Sequence, residues 1–309
     1  MKRLTRAITG IAGLTLAGLA LRRSGLREDL EWSEVTKPGT VIEIDGYGVH
    51  YIDAGEGPAI VLVHGFGGNT YNFRDQIPVL ARRHRVVAVD LKGFGYSERD
   101  ADAGLSATDQ VRMLKRLVET LGIEQATFVG HSMGGGIVQR FAAVHPQTAD
   151  ALILAASVRA NERPRMRMPR FLLRPLARVI ARYVAPRMLK MAYAPGTQVD
   201  ATVREETLRP TRLKGSVDGL LAMLRDGRRD APVDVSAIRQ PVLLLWGEED
   251  RVVPLKVAQE LRRDLPQARL VVIAGAGHML FEERPRDCNE AIADFLKETV
   301  EAGSAAGSA

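Results

Sequence analysis

The chain has 309 residues, a single cysteine and a formal net charge of +6 at pH 7. Its length suits one large domain or one domain with an insert, and its composition excludes a disordered or collagen-like protein. Because Cys288 stands alone, an internal disulfide and a cysteine-based zinc cluster are both excluded.

The positive charge is concentrated in two segments. Residues 1–27 hold six cations and no acid, and residues 157–190 hold ten cations against Glu162 alone. Together these segments carry +15, which leaves −9 for the rest of the chain. No zinc-finger spacing and no aromatic RNA-binding run accompanies the arginines, so we expect no nucleic-acid partner.

The first element in chain order is an apolar stretch of 15 residues, from Ala7 to Leu21, with cations on both sides. It is shorter than the ~20 apolar residues of a membrane-spanning helix and is typical of a signal-peptide core or a marginal anchor. We therefore predict a signal or membrane-anchor segment over residues 1–33 and an exported or membrane-associated protein. A buried helix of a cytosolic protein is the alternative.

Eight apolar or β-branched runs predict strands, and amphipathic patterns between them predict helices. The strand runs lie at 41–45, 49–53, 59–63, 86–90, 126–130, 151–155, 242–246 and 270–274, and the helical patterns at 71–83, 108–121, 133–144, 256–264 and 285–297. The connection Gly46-Tyr47-Gly48 favours an antiparallel hairpin of the first two strands, and Ser106 with Asp109 fits a capping box. Strands alternating with helices predict an α/β fold with a mainly parallel sheet.

The alternation stops between residues 157 and 235, where proline, arginine and helix formers replace the strand pattern. We predict an insert over 157–235 within a core formed by 34–156 and 236–300. Residues 301–309 have the small-residue composition of a linker, and we expect a disordered tail.

Within the insert, Arg170, Arg174, Arg178 and Arg182 recur every four residues along an otherwise largely apolar helical pattern. A basic amphipathic helix of this kind suits an anionic membrane surface, which is one predicted partner. A solvated basic face over an ordinary apolar core is an equally good interpretation.

The strongest functional motif is Gly130-His131-Ser132-Met133-Gly134, a G-x-S-x-G between a predicted strand and a predicted helix. In that context the serine is held out of the sheet on a sharp turn, and the glycines relieve crowding in the bend. A serine hydroxyl is a poor nucleophile and needs an adjacent base that is itself oriented by a third group. We predict that Ser132 is the nucleophile.

Two downstream residues can supply the base and its orienting acid. Asp250 follows the seventh predicted strand and His278 follows the eighth. The chain order Ser132, Asp250, His278, with each residue at the carboxyl end of a strand, is the order expected for a nucleophile-elbow hydrolase. Glu248 and Glu249 compete for the acid role, and we favour Asp250 because it lies one turn beyond the strand.

Acyl transfer also needs donors for the tetrahedral oxyanion, normally two backbone N–H groups. The glycine-rich loop His64-Gly65-Phe66-Gly67-Gly68 follows the third predicted strand, and we assign the donors to the amides of Phe66 and Met133. The loop contains neither phosphate-binding glycine motif, so we expect no nucleotide cofactor. The six histidines lack paired ligand spacing, so we expect no metal.

These motifs resemble those of the α/β-hydrolase superfamily over residues 40–298, and within it the esterase and monoacylglycerol-lipase-like branch with an N-terminal hydrophobic segment. The resemblance implies an eight-stranded sheet with a helical cap over the pocket. It also implies that Asp90 and Ser97 stabilise the turn after the fourth strand, and that His64 and His131 shape the oxyanion loop and the elbow. The residues that carry it are His64-Gly65-Phe66-Gly67-Gly68, Asp90-Leu91-Lys92-Gly93-Phe94-Gly95-Tyr96-Ser97, Gly130-His131-Ser132-Met133-Gly134-Gly135, residues 247–254 and Gly277-His278.

The predicted activity is hydrolysis of carboxylic esters by an esterase or lipase, with monoacylglycerol-like lipids among the substrates and an acyl-enzyme on Ser132. Related dehalogenases and epoxide hydrolases carry aspartate where this chain has Ser132, so those chemistries are excluded. Carbon–carbon bond hydrolases of ring-cleavage products and cofactor-free perhydrolases of the haloperoxidase type share the three residues and stay open. A non-catalytic ligand receptor on the same fold is the second alternative.

Overall fold

The computed structural model describes residues 28–162 and 190–306. Its strands form one eight-stranded sheet in the order β1-β2-β4-β3-β5-β6-β7-β8. The hairpin β1–β2 is antiparallel, β2 is antiparallel to β4, and all later neighbours are parallel. All eight predicted strands are confirmed, with bounds β1 Thr40–Ile44, β2 Tyr47–Ala54, β3 Ala59–Val63, β4 Arg85–Val89, β5 Ala126–His131, β6 Ala149–Ala155, β7 Val242–Gly247 and β8 Arg269–Ile273.

The described helices lie on both sides of this sheet or between β6 and β7. They are α1 Ile77–Leu80, α2 Ala107–Thr120, α3 Met133–Val144, α4 Ala201–Leu208, α5 Ser216–Asp226, α6 Leu255–Asp264, α7 Leu280–Glu283 and α8 Pro285–Ala306, with 3-10 turns at Thr70–Phe73, Arg209–Arg212 and Val235–Ala237. The predicted capping box is present at the start of α2, where Ser106 and Asp109 each accept a hydrogen bond from the other's backbone amide. In the described ranges, no helix is long and apolar enough to cross a bilayer.

The helix predicted over 71–83 is wrong as a single element, because the chain forms a 3-10 turn and then the short α1. The Asn69 side chain accepts from the Tyr71 amide at 2.8 Å, and the Asn72 side chain accepts from the Asn69 amide at 2.9 Å. This reciprocal cap closes the first turn on itself. Pro78, in the first turn of α1, then marks a new helix start.

The hairpin connection is one residue earlier than predicted. Asp45 and Gly46 have φ of 51° and 76°, both in the left-handed region, as a two-residue type I′ turn requires. Tyr47 pairs with Ile44, so Tyr47 and Gly48 belong to β2 rather than to the turn.

The sheet buries apolar residues on both faces. In β3, Val61 and Val63 face the cluster formed with α2, α3 and α6, while Ile60 and Leu62 face the cluster formed with α1, α7 and α8. A parallel strand that is covered on both faces has a continuous apolar sequence, and this pattern allowed β3 to be predicted.

The described part of the segment between β6 and β7 packs over the loops that follow β3 and β4. The Asn69 side-chain amide donates to the Thr207 carbonyl at 3.2 Å, and the Leu105 amide donates to Asp226 at 3.3 Å. These contacts place α4 and α5 at the edge of the sheet that carries the candidate site.

The chain ahead of β1 is packed from Glu28 onward. Leu30 forms a parallel bridge with Leu213, and the Trp32 indole donates to the Tyr96 carbonyl at 2.7 Å. Residues 28–33 therefore belong to the folded part rather than to a separate segment ending at 33. The predictions for residues 1–27, for the arginine stripe at 170–182 and for 307–309 lie outside the described residues.

Helix α8 continues to Ala306, past the predicted helix end at 297 and into the segment predicted as a disordered tail. Once its first half is packed against the sheet, a helix propagates at low cost through favourable residues such as Glu301 and Ala302.

Candidate active site

Ser132 occupies a strained turn between β5 and α3. Its φ of 53° and ψ of −116° lie outside the regions that an L-residue normally adopts. Hydrogen bonds from and to its backbone hold this conformation: the Ser132 amide donates to Ala155, and the Ser132 carbonyl accepts from Gly135 and Val158, at 2.9, 3.0 and 3.1 Å. Strain that is over-determined in this way is typical of functional positions.

Two glycines of the motif are required by close backbone approach. A Cβ at Gly130 would lie 2.6 Å from the Gly134 carbonyl oxygen, and a Cβ at Gly134 would lie 2.2 Å from the Val63 carbonyl oxygen. The turn therefore packs directly onto the end of β3, and only glycine fits at both positions.

The structure brings His278 and Asp250 together at the carboxyl ends of β8 and β7. The distance from His278 Nδ1 to Asp250 Oδ2 is 2.9 Å, and both side chains are buried. Asp250 Oδ1 accepts from the amides of Val252 and Val253, each at 2.8 Å. Because a carboxylate oxygen accepts, Nδ1–H of His278 is the donor in this bond, which leaves Nε2 as the ring nitrogen not bonded to Asp250.

The two competing carboxylates lie elsewhere. Glu248 accepts from the Gly275 amide at 3.2 Å, and both Glu248 and Glu249 are exposed. Among the three acids that the sequence offered, Asp250 is the one bonded to His278.

His131 links the serine turn to the histidine loop. Its Nε2–H donates to the His278 carbonyl at 2.9 Å, and the two rings lie 4.8 Å apart. Burial, and next the neighbouring His278 ring, lower the pKa of His131 to about 3. His131 is therefore neutral at physiological pH and fixes the loop as a hydrogen-bond donor.

The loop after β3 is held beside Ser132 by His64. Nδ1 of His64 donates to the Gly65 carbonyl at 2.7 Å, and Nε2 accepts from the Leu91 amide at 3.0 Å. Burial lowers the pKa of His64, which keeps the ring neutral and this tautomer intact. An ideal Cβ on Gly65 would lie 3.0 Å from the Cβ of Ser132, so the loop and the serine turn are in direct contact.

The amides of Phe66 and Met133 donate to no acceptor in the described part of the chain. Met133 is the first residue of α3, where backbone N–H groups lack partners inside the helix and the helix dipole favours negative charge. The Phe66 side chain is 51% exposed and packs edge-on against Phe94 at 5.8 Å. Both amides can therefore donate to an anionic oxygen.

Asp90 organises the turn after β4, as the family resemblance implies. Its carboxylate accepts from the amides of Thr70 and Tyr96, each at 2.7 Å, and its carbonyl accepts from Ser97 Oγ at 2.6 Å. Sequence reasoning missed the partner of Asp90, His50, whose Nδ1 lies 2.7 Å from the carboxylate. Burial acts to raise the pKa of Asp90, but hydrogen bonding and charge from His50 act against it and the pKa is lowered.

A mostly apolar cavity of about 120 Å³ lies beside Met133, between α3 and α5. Its lining includes Leu105, Ile137, Val158 and Met223.

In residues 28–162 and 190–306, no cluster of three or more His, Cys, Asp or Glu side chains is arranged to hold a metal ion. The arrangement thus offers a serine, an Asp–His pair and two amides at one edge of the sheet.

Residues 58–285 match the family model described as the alpha/beta hydrolase fold. The chain is 30% identical to the uncharacterized hydrolase YugF of Bacillus subtilis over 274 residues, covering 85% of this chain and 100% of that protein. It is also 30% identical to a 2-hydroxy-6-oxononadienedioate/2-hydroxy-6-oxononatrienedioate hydrolase of Paraburkholderia phymatum, covering 80% of this chain and 90% of that protein. A thermophilic esterase from Thermogutta terrifontis has a similar structure, with a TM-score of 0.70, 26% identity and coverage of 84% and 97%.

Proposed function

Because the chain belongs to the α/β-hydrolase fold family and is a hydrolase, we propose that it cleaves carboxylic esters through an acyl-enzyme on Ser132. The observation that carries this proposal is the pairing of Asp250 with His278 at 2.9 Å at the same sheet edge as the strained Ser132. The similarity to the Thermogutta esterase favours ester substrates.

In the proposed first step, Ser132 Oγ attacks the ester carbonyl carbon while Nε2 of His278 accepts the hydroxyl proton. The carbonyl π electrons move to oxygen, and the resulting oxyanion accepts hydrogen bonds from the Phe66 and Met133 amides. Asp250 stays ionised and stabilises the imidazolium. Removal of one such donor typically costs about 2.7–4 kcal/mol of transition-state stabilisation.

The tetrahedral intermediate then collapses. The alcohol oxygen leaves with the proton from His278 Nε2, and the acyl group stays on Ser132 Oγ. Water next attacks the acyl carbon as His278 accepts a water proton, and a second collapse releases the carboxylic acid and returns the proton to Ser132.

A second candidate is hydrolysis of a carbon–carbon bond in a ring-cleavage product. It is favoured by the Paraburkholderia hydrolase, which is 30% identical to this chain over 262 residues. The same serine and Asp–His pair serve both reactions, so product analysis has to separate them.

We further propose that the enzyme acts at an anionic membrane surface. Residues 1–27 combine an apolar stretch with six cations, and the chain that follows them is fastened to the segment between β6 and β7. Asp29 pairs with Arg212 at 2.9 Å and Glu31 pairs with Lys214. Flotation with anionic and neutral vesicles tests this, comparing the full chain with a chain that lacks residues 1–27 but keeps the packed residues 28–33. Equal flotation of both forms, or no preference for anionic vesicles, would contradict the proposed membrane association.

The central test is hydrolysis of p-nitrophenyl esters from acetate to palmitate, with fluorophosphonate labelling and the variant Ser132→Ala. We expect activity and labelling to be lost together in the variant. The optimum chain length separates an esterase from a lipase. Labelling without ester turnover, but with cleavage of a 2-hydroxy-6-oxodienoate, would favour the second candidate. Absence of labelling and of turnover in the parent protein would reject a serine hydrolase and favour a receptor.

A further inference from the structure

Residues 192–194, which lie within the insert between β6 and β7 and precede α4, lie against the loops that carry Asp250 and His278. The Ala192 carbonyl accepts from the amides of His278 and Met279, at 2.7 and 3.1 Å. The Tyr193 carbonyl accepts from the Arg251 guanidinium at 3.0 Å. This short segment therefore contacts both loops of the Asp–His pair through its backbone.

Glu283, at the end of α7, binds both the loop that carries His278 and the segment 192–194 through one carboxylate. Its Oε1 accepts from the Gly277 amide at 2.9 Å, and its Oε2 accepts from the Ala194 amide at 2.7 Å. Thr197 Oγ1 donates a third, longer bond of 3.3 Å to Oε2. Hydrogen bonds to a charged carboxylate are roughly twice as strong as neutral ones.

The amides of three successive residues are thus fixed from one side. Glu283 holds the amide of Gly277, and Ala192 holds those of His278 and Met279. A Cβ on Gly277 would lie 2.5 Å from the Ala194 nitrogen, so the two backbones are in van der Waals contact. The backbone that sets the position of the His278 ring has little freedom while these bonds persist.

From these contacts we propose that Glu283 is a positioning residue for His278, acting through the Gly277 amide and the insert segment 192–194. The inference rests on the proposed function, because it concerns the base of that reaction. Glu283 touches no reacting atom. Its carboxylate holds the His278 loop and the insert at a fixed relative position. A displacement of residues 192–194 would therefore also move the amides of His278 and Met279, which bond to Ala192.

The test compares three variants with the parent protein on p-nitrophenyl acetate. Glu283→Ala removes both backbone bonds, and Glu283→Gln keeps one acceptor while its NH₂ faces the other amide. Thr197→Val is the matched control, because it deletes a donor to the same carboxylate and leaves the Gly277 and Ala194 bonds in place. We expect kcat to fall about 10- to 100-fold in Glu283→Ala with KM within about twofold, since a displacement near 1 Å costs rates of this order. We expect the kcat of Glu283→Gln to lie between those of the parent protein and Glu283→Ala, and the kcat of Thr197→Val to equal that of the parent.

A second readout does not depend on turnover. We expect the Nδ1 proton of His278, which is hydrogen-bonded to Asp250, to give a low-field NMR resonance in the parent protein. This resonance should shift or broaden in both Glu283 variants and stay in place in Thr197→Val. If Glu283→Ala does not fold, as judged by circular dichroism, Glu283→Gln decides. Parent-like kcat and an unmoved resonance in a folded Glu283 variant would overturn the inference. Failure of the proposed function is different, because the parent protein itself would then neither hydrolyse esters nor react with the fluorophosphonate.

Discussion

Replacing Gly134 by alanine tests whether the close contact between the serine turn and β3 sets the geometry of the site. The new Cβ would lie 2.2 Å from the Val63 carbonyl oxygen and 2.5 Å from that of His64, whereas real Cβ atoms essentially never approach closer than 3.0 Å. The start of α3 and the end of β3 would therefore have to separate by at least about 0.8 Å at Val63.

This separation affects both stability and catalysis. Overpacking a well-packed contact costs about 1–3 kcal/mol, and each kcal/mol lowers Tm by about 2–4 °C in a domain of roughly this size. The same movement pulls the Met133 amide on α3 away from the Phe66 amide on the loop after β3. A displacement approaching 1 Å at a reacting centre costs about 100-fold in rate. We expect Gly134→Ala to lose about two orders of magnitude in kcat on p-nitrophenyl acetate.

The matched control is Gly219→Ala in α5, another helical glycine. Its new Cβ would lie 3.6 Å from the nearest atom, on Gly93, which is ordinary contact. Alanine is favoured over glycine by about 0.5–1 kcal/mol in a helix interior, so this variant should be as stable as the parent protein or more so. Thermal melts and kcat are measured for both variants. Parent-like kcat and Tm in Gly134→Ala would show that the contact with β3 is not what positions the two amides.

Three further outcomes are expected. Asp250→Asn should reduce kcat by about 10³–10⁴, because the orienting acceptor of His278 is lost, whereas Glu249→Gln should keep the parent rate; equal losses would refute the assignment of the acid. The folded chain holds the pKa of His131 at about 3 against a usual 6.5. Between these two pH values the imidazole is protonated in the unfolded chain and neutral in the folded chain. The free energy of unfolding therefore falls as pH drops below 6.5, by up to about 1.4 kcal/mol per pH unit. Urea midpoints at pH 7.5 and 5 should therefore differ less in His131→Gln than in the parent, and an unchanged difference would contradict the burial argument. Ser106→Ala removes the cap of α2 and should cost about 1 kcal/mol in urea unfolding, with m unchanged; no loss of stability would mean that water replaces the cap.

The sheet could be predicted because each strand is marked locally. Strands such as β3 and β7 are apolar on both faces, and turn residues bound them, so their positions need no knowledge of the rest of the fold. The helix over 71–83 failed for a local reason that the pattern also contained: Asn69 and Asn72 cap each other, and Pro78 restarts the helix.

The candidate site likewise contains residues that the sequence marks and residues that it does not. Ser132, Asp250 and His278 each follow a strand within a recognisable motif, and parallel strands bring their carboxyl ends to one edge. His50 and Glu283 carry no such mark. The contact of His50 with Asp90 depends on the lateral pairing of β2 with β4, which a sequence does not display.

His64, His131 and Glu283 share one physical role, which is to hold backbone in place. His64 and His131 are neutral buried rings that bond to the Gly65 and His278 carbonyls, and Glu283 bonds to the Gly277 amide. Because backbone amides and carbonyls are present at every residue, the sequence does not show which of them each side chain binds, yet a loop held by several such bonds has little freedom to move. Ser132, Asp250 and His278 are the residues proposed to react, whereas His64, His131 and Glu283 restrict the movement of the backbone around them.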